Sequence, residues 1–259
     1  MDRSRPIGVF DSGVGGLSIL RALRAELPRE DFVYFSDAGH APYGEKGDAF
    51  VSGRSLAIAE DLLAQDRIKG LVVACNTATA AAVHLLRARH AELPVVGVEP
   101  ALKPATALTK TGHVAVLATR GTLASAKFQA LRDSLRERAE FVLVPCDGLA
   151  AAIEADDQPL VRALCRRYTQ EVGGFGTQPG EVDTLVLGCT HYPFAAGVLR
   201  ELLGPEVQLV ETGQPVARQA RRRLEEKGLL DPAGGGGVRF RTTGDEAALQ
   251  GAAGRWLGL

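Results

Sequence analysis

Gly70-Leu71-Val72-Val73-Ala74-Cys75-Asn76-Thr77-Ala78-Thr79-Ala80-Ala81-Ala82-Val83-His84-Leu85-Leu86-Arg87-Ala88-Arg89 holds the pattern that decides the fold. Gly70 to Ala74 is a continuous apolar run rich in valine, the form of a parallel strand buried on both faces. Ala78 to Arg89 is rich in alanine and leucine with arginines near its end, and reads as a covering helix. Cys75, Asn76 and Thr77 stand where the strand gives way to the helix.

The same alternation extends in both directions. Strands are expected at Ile7–Phe10, Phe32–Phe35 and Val95–Val98, with helices at Leu17–Leu27 and Gly53–Gln65. The pattern restarts after Pro100–Gly112. Strands at His113–Ala118, Phe141–Val144, Thr184–Leu187 and Gln208–Val210 then alternate with helices at Ser125–Arg138, Pro159–Val172, Phe194–Leu203 and Pro215–Lys227. Asp231–Gly237 reads as a turn and Val238–Thr243 as a late strand. Such β-α alternation specifies an α/β fold with parallel sheets between helices.

A weak internal echo divides the chain into two halves. In the first, strands lead into Asp11-Ser12-Gly13 and into Cys75-Asn76-Thr77. In the second, strands lead into Thr119-Arg120-Gly121-Thr122 and into Cys189-Thr190-His191. Ligands of open parallel sheets bind at the carboxyl ends of strands, so these clusters are the candidate site. Pro42-Tyr43-Gly44, shortly after the strand ending at Phe35, is a further candidate.

Composition narrows the class. Thirty basic residues against 31 acidic ones leave a net charge of −1, so neither nucleic acid nor an anionic membrane is an expected partner. The run Arg221–Arg223, followed by acids, reads as a solvated helix face. Neither a signal peptide nor a stretch of ~18 apolar residues is visible, so a cytoplasmic protein is expected. The four cysteines, with no Cys-x-x-Cys pair, are expected to be thiols without structural zinc.

Asp11-Ser12-Gly13-Val14-Gly15-Gly16 permits a tight turn, but a dinucleotide fingerprint needs glycine where Ser18 stands, and no P-loop lysine is present. A helix cap at Asp11 or Ser12 explains the stretch as well. Cys75 precedes a helix, a position that favours thiolate, although a lone buried cysteine is usually inert. Cys189 shares that context, with His191 as a possible proton partner. Cys-x-His alone does not complete a metal set. Two cysteines in matching contexts suit racemisation, which needs a base and an acid on opposite faces of one carbon, each able to take either role. Donors such as Ser12, Thr77 and Thr190 could stabilise the developing enolate charge. Cys146 and Cys165 lack such a setting and read as structural.

The stretches IGVFDSGVGGLS, APYGEK, ACNTATA and LGCTHYPF, with weaker likeness at LATRGTLAS and TTGD, run in order across most of the chain. On these motifs the chain resembles the glutamate racemases of the aspartate/glutamate racemase superfamily. The resemblance implies two doubly wound parallel-sheet domains related by pseudo-twofold symmetry, with the active site in the cleft between them. The first would span residues 1–98 and 208–259, the chain end folding back, and the second residues 99–207. It implies Cys75 and Cys189 as the paired acid and base, assisted by Asp11 and His191. Asp11, Ser12, Tyr43, Gly44, Asn76, Thr77, Thr190 and His191 would hold L- or D-glutamate, and Glu154 and Thr119 could assist. It also implies no pyridoxal phosphate or metal, supply of D-glutamate to peptidoglycan, and a homodimer.

The sequence departs from the family pattern at Asp37-Ala38-Gly39-His40, in CDGLAAAIE around Glu154, and at Glu211-Thr212-Gly213. Aspartate or hydantoin racemases and malonate decarboxylases are alternatives within the superfamily. Two cysteines favour racemisation over decarboxylation. An amino-acid receptor of periplasmic type is an alternative outside it, which the two cysteines and the missing export signal disfavour.

Overall fold

The computed structural model describes residues 2–259. The chain forms two compact units, one up to Val98 together with Gly213–Leu259, the other Glu99–Thr212. Each is a parallel sheet covered by helices.

In the first unit, β1 (Ile7–Asp11), β2 (Phe32–Ser36), β3 (Gly70–Val73), β4 (Val95–Gly97) and β9 (Val238–Thr242) pair in the order β4-β3-β1-β2-β9, all parallel. Successive strand side chains point to opposite faces, and both faces are covered. Phe10, Val33, Phe35 and Val73 join one apolar cluster with Val51 and Ile58 of helix α2 (Asp48–Asp61) and Ala82 and Leu86 of α3 (Asn76–Arg89). On the other face Ile7, Val72 and Val96 lie against Ala220 and Leu224 of α10 (Gly213–Glu226). Helix α1 (Leu17–Glu26) packs on α10 and on α11 (Glu246–Leu257). Burying each large aliphatic side chain is worth about 1.5–3 kcal/mol, which is why unbroken apolar runs become central strands.

The second unit pairs β5 (His113–Ala118), β6 (Glu140–Pro145), β7 (Thr184–Leu187) and β8 (Gln208–Val210) in the order β6-β5-β7-β8, again all parallel. Its helices are α4 (Leu102–Leu108), α5 (Arg120–Ala124), α6 (Ala126–Asp133), α7 (Leu149–Glu154), α8 (Gln158–Val172) and α9 (Ala196–Leu203). Leaving aside β9, which adds to the β2 edge of the first sheet, both sheets run second strand, first strand, third strand, fourth strand. The faint echo in the sequence is an echo of topology.

Several expected boundaries move. The first domain is expected to resume at residue 208, but β8 hydrogen-bonds to β7 and extends the second sheet, and the second unit runs to Thr212. The helix expected from Gly53 begins at Asp48 and gives way to a π-turn at Leu62–Asp66. The helix expected over Ser125–Arg138 is shorter: Ser125 Oγ caps α6 by accepting the Phe128 N–H at 3.2 Å, and the helix stops at Asp133. Among the described residues no helix is long and apolar enough to cross a membrane.

Candidate active site

In each sheet the chain leaves the first strand in one direction and later continues in the other, so the switch point lies between β1 and β3 and between β5 and β7. Ligands of open α/β sheets bind outside the carboxyl ends of such strands. Asp11 ends β1, and Cys75 follows β3 through Ala74, whose N–H donates to the Phe10 carbonyl at 2.7 Å. That register sets Ser12 Oγ 3.6 Å from Cys75 Sγ. Cys75 is the N-cap of α3, and its sulfur accepts the Ala78 N–H at 3.5 Å. The N–H and the positive end of the helix stabilise negative charge on that sulfur.

Asp11 is fully buried and organises the glycine-rich turn: Oδ2 accepts the N–H of Gly16 at 2.8 Å and of Gly13 at 3.3 Å. A Cβ at Gly16 would sit 2.6 Å from Asp11 Cβ and 2.9 Å from the Tyr34 hydroxyl, so any side chain there would push the turn off β1. Asn76 is 7% exposed, yet among the described residues neither polar atom of its side chain has a hydrogen-bond partner. A buried polar group left unpaired costs about 1–3 kcal/mol, and a polar ligand would remove that cost. Thr77, one residue on, is partly buried.

In the second unit Gly188 follows β7 and donates its N–H to the Leu117 carbonyl at 2.7 Å, an approach too close for any Cβ. Next comes Cys189, whose sulfur lies 3.7 Å from His191 Nδ1, while His191 Nε2 lies 3.0 Å from Glu154 Oε2 at the end of α7. Sulfur, imidazole and carboxylate thus form a connected chain. Burial pulls the imidazole down, but its hydrogen bonds to Cys189 and Glu154, and the charge on each, outweigh burial and hold it well above the ordinary histidine value. An imidazolium here donates from both nitrogens, to the Cys189 sulfur on one side and the Glu154 carboxylate on the other. Thr190 is buried beside it.

Cys146 and Cys165 contrast with this pair. Burial pushes both thiols up, Cys165 to about 11, leaving them protonated and inert near neutral pH. All four cysteines are free.

Two candidate residues are held locally. Thr119 caps α5, its hydroxyl accepting the Thr122 N–H at 3.2 Å and donating to Thr122 Oγ1 at 2.9 Å. Tyr43 is buried in a short 3-10 turn, and its hydroxyl donates to Asp37 Oδ2 at 2.6 Å. Burial, reinforced by that bond, pushes the phenol far up. Gly44 beside it is partly buried. The sequence reading missed Asp37 and its ion-pair partner Arg54, 17 residues apart. The only signal was a departure from family pattern at Asp37–His40, with nothing to link it to Arg54 or Thr243. Among the described residues no cluster of three or more His, Cys, Asp or Glu side chains is arranged to hold a metal ion.

Comparison with known proteins gives a consistent set of matches. The sequence profile of the Asp/Glu/hydantoin racemases matches residues 8–220. A glutamate racemase of Methylococcus capsulatus is 52% identical over 227 residues, 87% of this chain and 81% of that protein. The structure of Escherichia coli glutamate racemase, in complex with L-glutamate and the activator UDP-MurNAc-ala, has a TM-score of 0.83 at 31% identity, covering 97% of this chain and 95% of that one. That of Francisella tularensis glutamate racemase, in complex with D-glutamate, has a TM-score of 0.84 at 27% identity, covering 99% and 95%.

Proposed function

The chain belongs to the Asp/Glu/hydantoin racemase family, among its glutamate racemases, and we propose that it interconverts L- and D-glutamate with Cys75 and Cys189 as its paired acid and base. The observation that carries this reading is the matched placement of the two cysteines. Each follows, at the carboxyl end, the strand paired across the switch point from the first strand of its own sheet, and each has its own polar partner: Ser12 for Cys75 and His191 for Cys189.

The chemistry follows from those partners. A thiolate takes the α-proton from one face, forming an S–H bond as the C–H bond breaks, and the electron pair moves onto the substrate's α-carboxylate. The other cysteine, as thiol, then delivers its proton to the opposite face. The reverse direction swaps the roles, so each sulfur must be stable both as thiolate and as thiol. The Ala78 N–H and the α3 terminus serve that need at Cys75, and the His191–Glu154 pair serves it at Cys189. The unpaired amide of Asn76, with Ser12, Thr77 and Thr190, offers neutral hydrogen-bonding groups to the substrate's carboxylates, where charge grows in the transition state. Asp11 acts on Cys75 by fixing the turn that carries Ser12. Tyr43 and Gly44 complete the substrate contacts.

This reading needs no pyridoxal phosphate or metal. It sets the enzyme in a reducing cytoplasm, where thiols persist, making D-glutamate for peptidoglycan. The test is the circular dichroism of L-glutamate incubated with purified, cofactor-stripped protein. Decay of the signal to zero, with L-aspartate unchanged under the same conditions, is expected. A constant glutamate signal would refute the proposal.

A further inference from the structure

Asp37 follows β2 directly, and its N–H donates to the Asp11 carbonyl at 2.9 Å, extending the β1–β2 pairing by one step. Its carboxylate is completely buried and receives five side-chain contacts. Arg54 grips both oxygens, Nε to Oδ2 at 2.9 Å and Nη2 to Oδ1 at 2.6 Å. The Tyr43 hydroxyl donates to Oδ2 at 2.6 Å, Thr243 Oγ1 donates to Oδ1 at 2.9 Å, and His40 Nδ1 lies 3.0 Å from Oδ1. Thr243, just after β9, also accepts the Gly39 N–H at 3.1 Å. Residues 38–47 contain only two short 3-10 turns, Ala38–His40 and Tyr43–Glu45. A segment with so little regular structure takes its conformation from side-chain bonds, and two of its three end on this carboxylate, from His40 and Tyr43, while the third joins Gly39 to Thr243, which itself donates to Asp37.

The segment bears on the site through Tyr43, whose ring lies in the same apolar cluster as Cys75 and meets Phe10 edge-on at 6.2 Å between centroids. Because its single O–H is directed at Asp37 and Arg54 bonds to the same hydroxyl, the Tyr43 oxygen is left with one acceptor position. An ammonium group suits it and a carboxylate does not. A charge buried this completely is costly unless paired, and here the pairing fixes a loop of the substrate site.

We propose that Asp37 and Arg54 are positioning residues that set substrate affinity by holding the Tyr43–Gly44 segment, and by keeping the Tyr43 oxygen an acceptor for the substrate's amine. The proposal rests on the glutamate racemase reading. Asp37→Asn preserves shape but sets an amide N–H against the donors of Arg54 and Tyr43. It should raise KM for both enantiomers by about tenfold while kcat stays within about threefold, the signature of lost binding common to ground and transition states. Arg54→Met should do the same, and Arg54→Lys should recover part of the loss. The double variant Asp37→Asn/Arg54→Met should be no worse than either single variant, because one unit is removed once. Thr243→Val trims the cluster from the far end of the chain, and should raise KM less, in the same direction, even if Asp37→Asn folds poorly.

A fall in kcat at unchanged KM, additive effects in the double variant, or wild-type KM in Thr243→Val despite faster amide exchange across residues 38–47 would each overturn the positioning role. Wild-type protein that fails to racemise glutamate would instead refute the function. The two failures are therefore separable in one set of assays.

Discussion

Replacing His191 by asparagine breaks the chain from Cys189 through the imidazole to Glu154 while leaving a polar side chain in place. The wild-type ring is buried, with Nδ1 3.7 Å from the sulfur and Nε2 3.0 Å from Glu154 Oε2. A hydrogen bond to a charged group contributes about 1.5–3 kcal/mol, which is roughly 10- to 150-fold in rate. A positioned acid–base partner is worth about 10²–10⁴. The nitrogen–sulfur distance is long, which favours the lower end, and the expected loss is about 100-fold in kcat. It should be uneven: wash-in of solvent deuterium at Cα should fall most for the enantiomer assigned to Cys189 in the proposed mechanism. Following racemisation by circular dichroism and exchange by NMR measures both.

The same substitution changes stability against pH. The folded-state value of His191 is raised, so its contribution is complete below the unfolded value of about 6.5 and is lost as pH rises through the folded value. Thermal melts of the wild type should fall across that alkaline window, and those of His191→Asn should be flatter there. Equal, undiminished exchange of both enantiomers in His191→Asn would refute the assigned role.

Other expectations are simpler to check. Glu154 is 31% exposed, so solvent screens its charge and Glu154→Gln should cost only a few-fold in kcat, about threefold, with Cys189-side exchange again affected more. Iodoacetamide at pH 8 should spare Cys146 and Cys165 in the native protein, since a thiol with a value of about 11 is about 0.1% ionised there; peptide mapping after a short pulse reads this, and rapid labelling of Cys165 would contradict it. Asp37 is held below the ordinary carboxylate value, because the bonds from Arg54, Tyr43 and Thr243 outweigh its burial. Its contribution is present above about 3.9 and lost as pH falls through the lower folded value, so acid unfolding of Asp37→Asn should be less steep than that of the wild type.

Much of the architecture is legible in the sequence because parallel strands buried on both faces must be apolar throughout. Ile7–Phe10, Gly70–Ala74, His113–Ala118 and Thr184–Leu187 read directly for that reason. Short helices do not: α4 and α7 are too brief to show a periodic face, and α11 carries glycines at 251 and 254 that blur its pattern. The strand Gln208–Val210 is legible but its sheet is not, since three residues with an exposed glutamine carry no information about which edge they join. The cysteine clusters were visible because each is contiguous with a strand and a helix. The Glu154–His191 bond spans 37 residues and the Asp37–Thr243 bond 206. Partners so distant meet only through the fold, and a single sequence does not show them.

In the proposed racemisation two sulfurs serve opposite faces of one carbon. Exchange of the α-proton in D2O, measured separately for L- and D-glutamate with Cys75→Ala and Cys189→Ala, tests that most directly. Each variant should exchange one enantiomer without inverting it, and the two variants should choose opposite enantiomers. Exchange of the same enantiomer by both, or full racemisation by either, would contradict it.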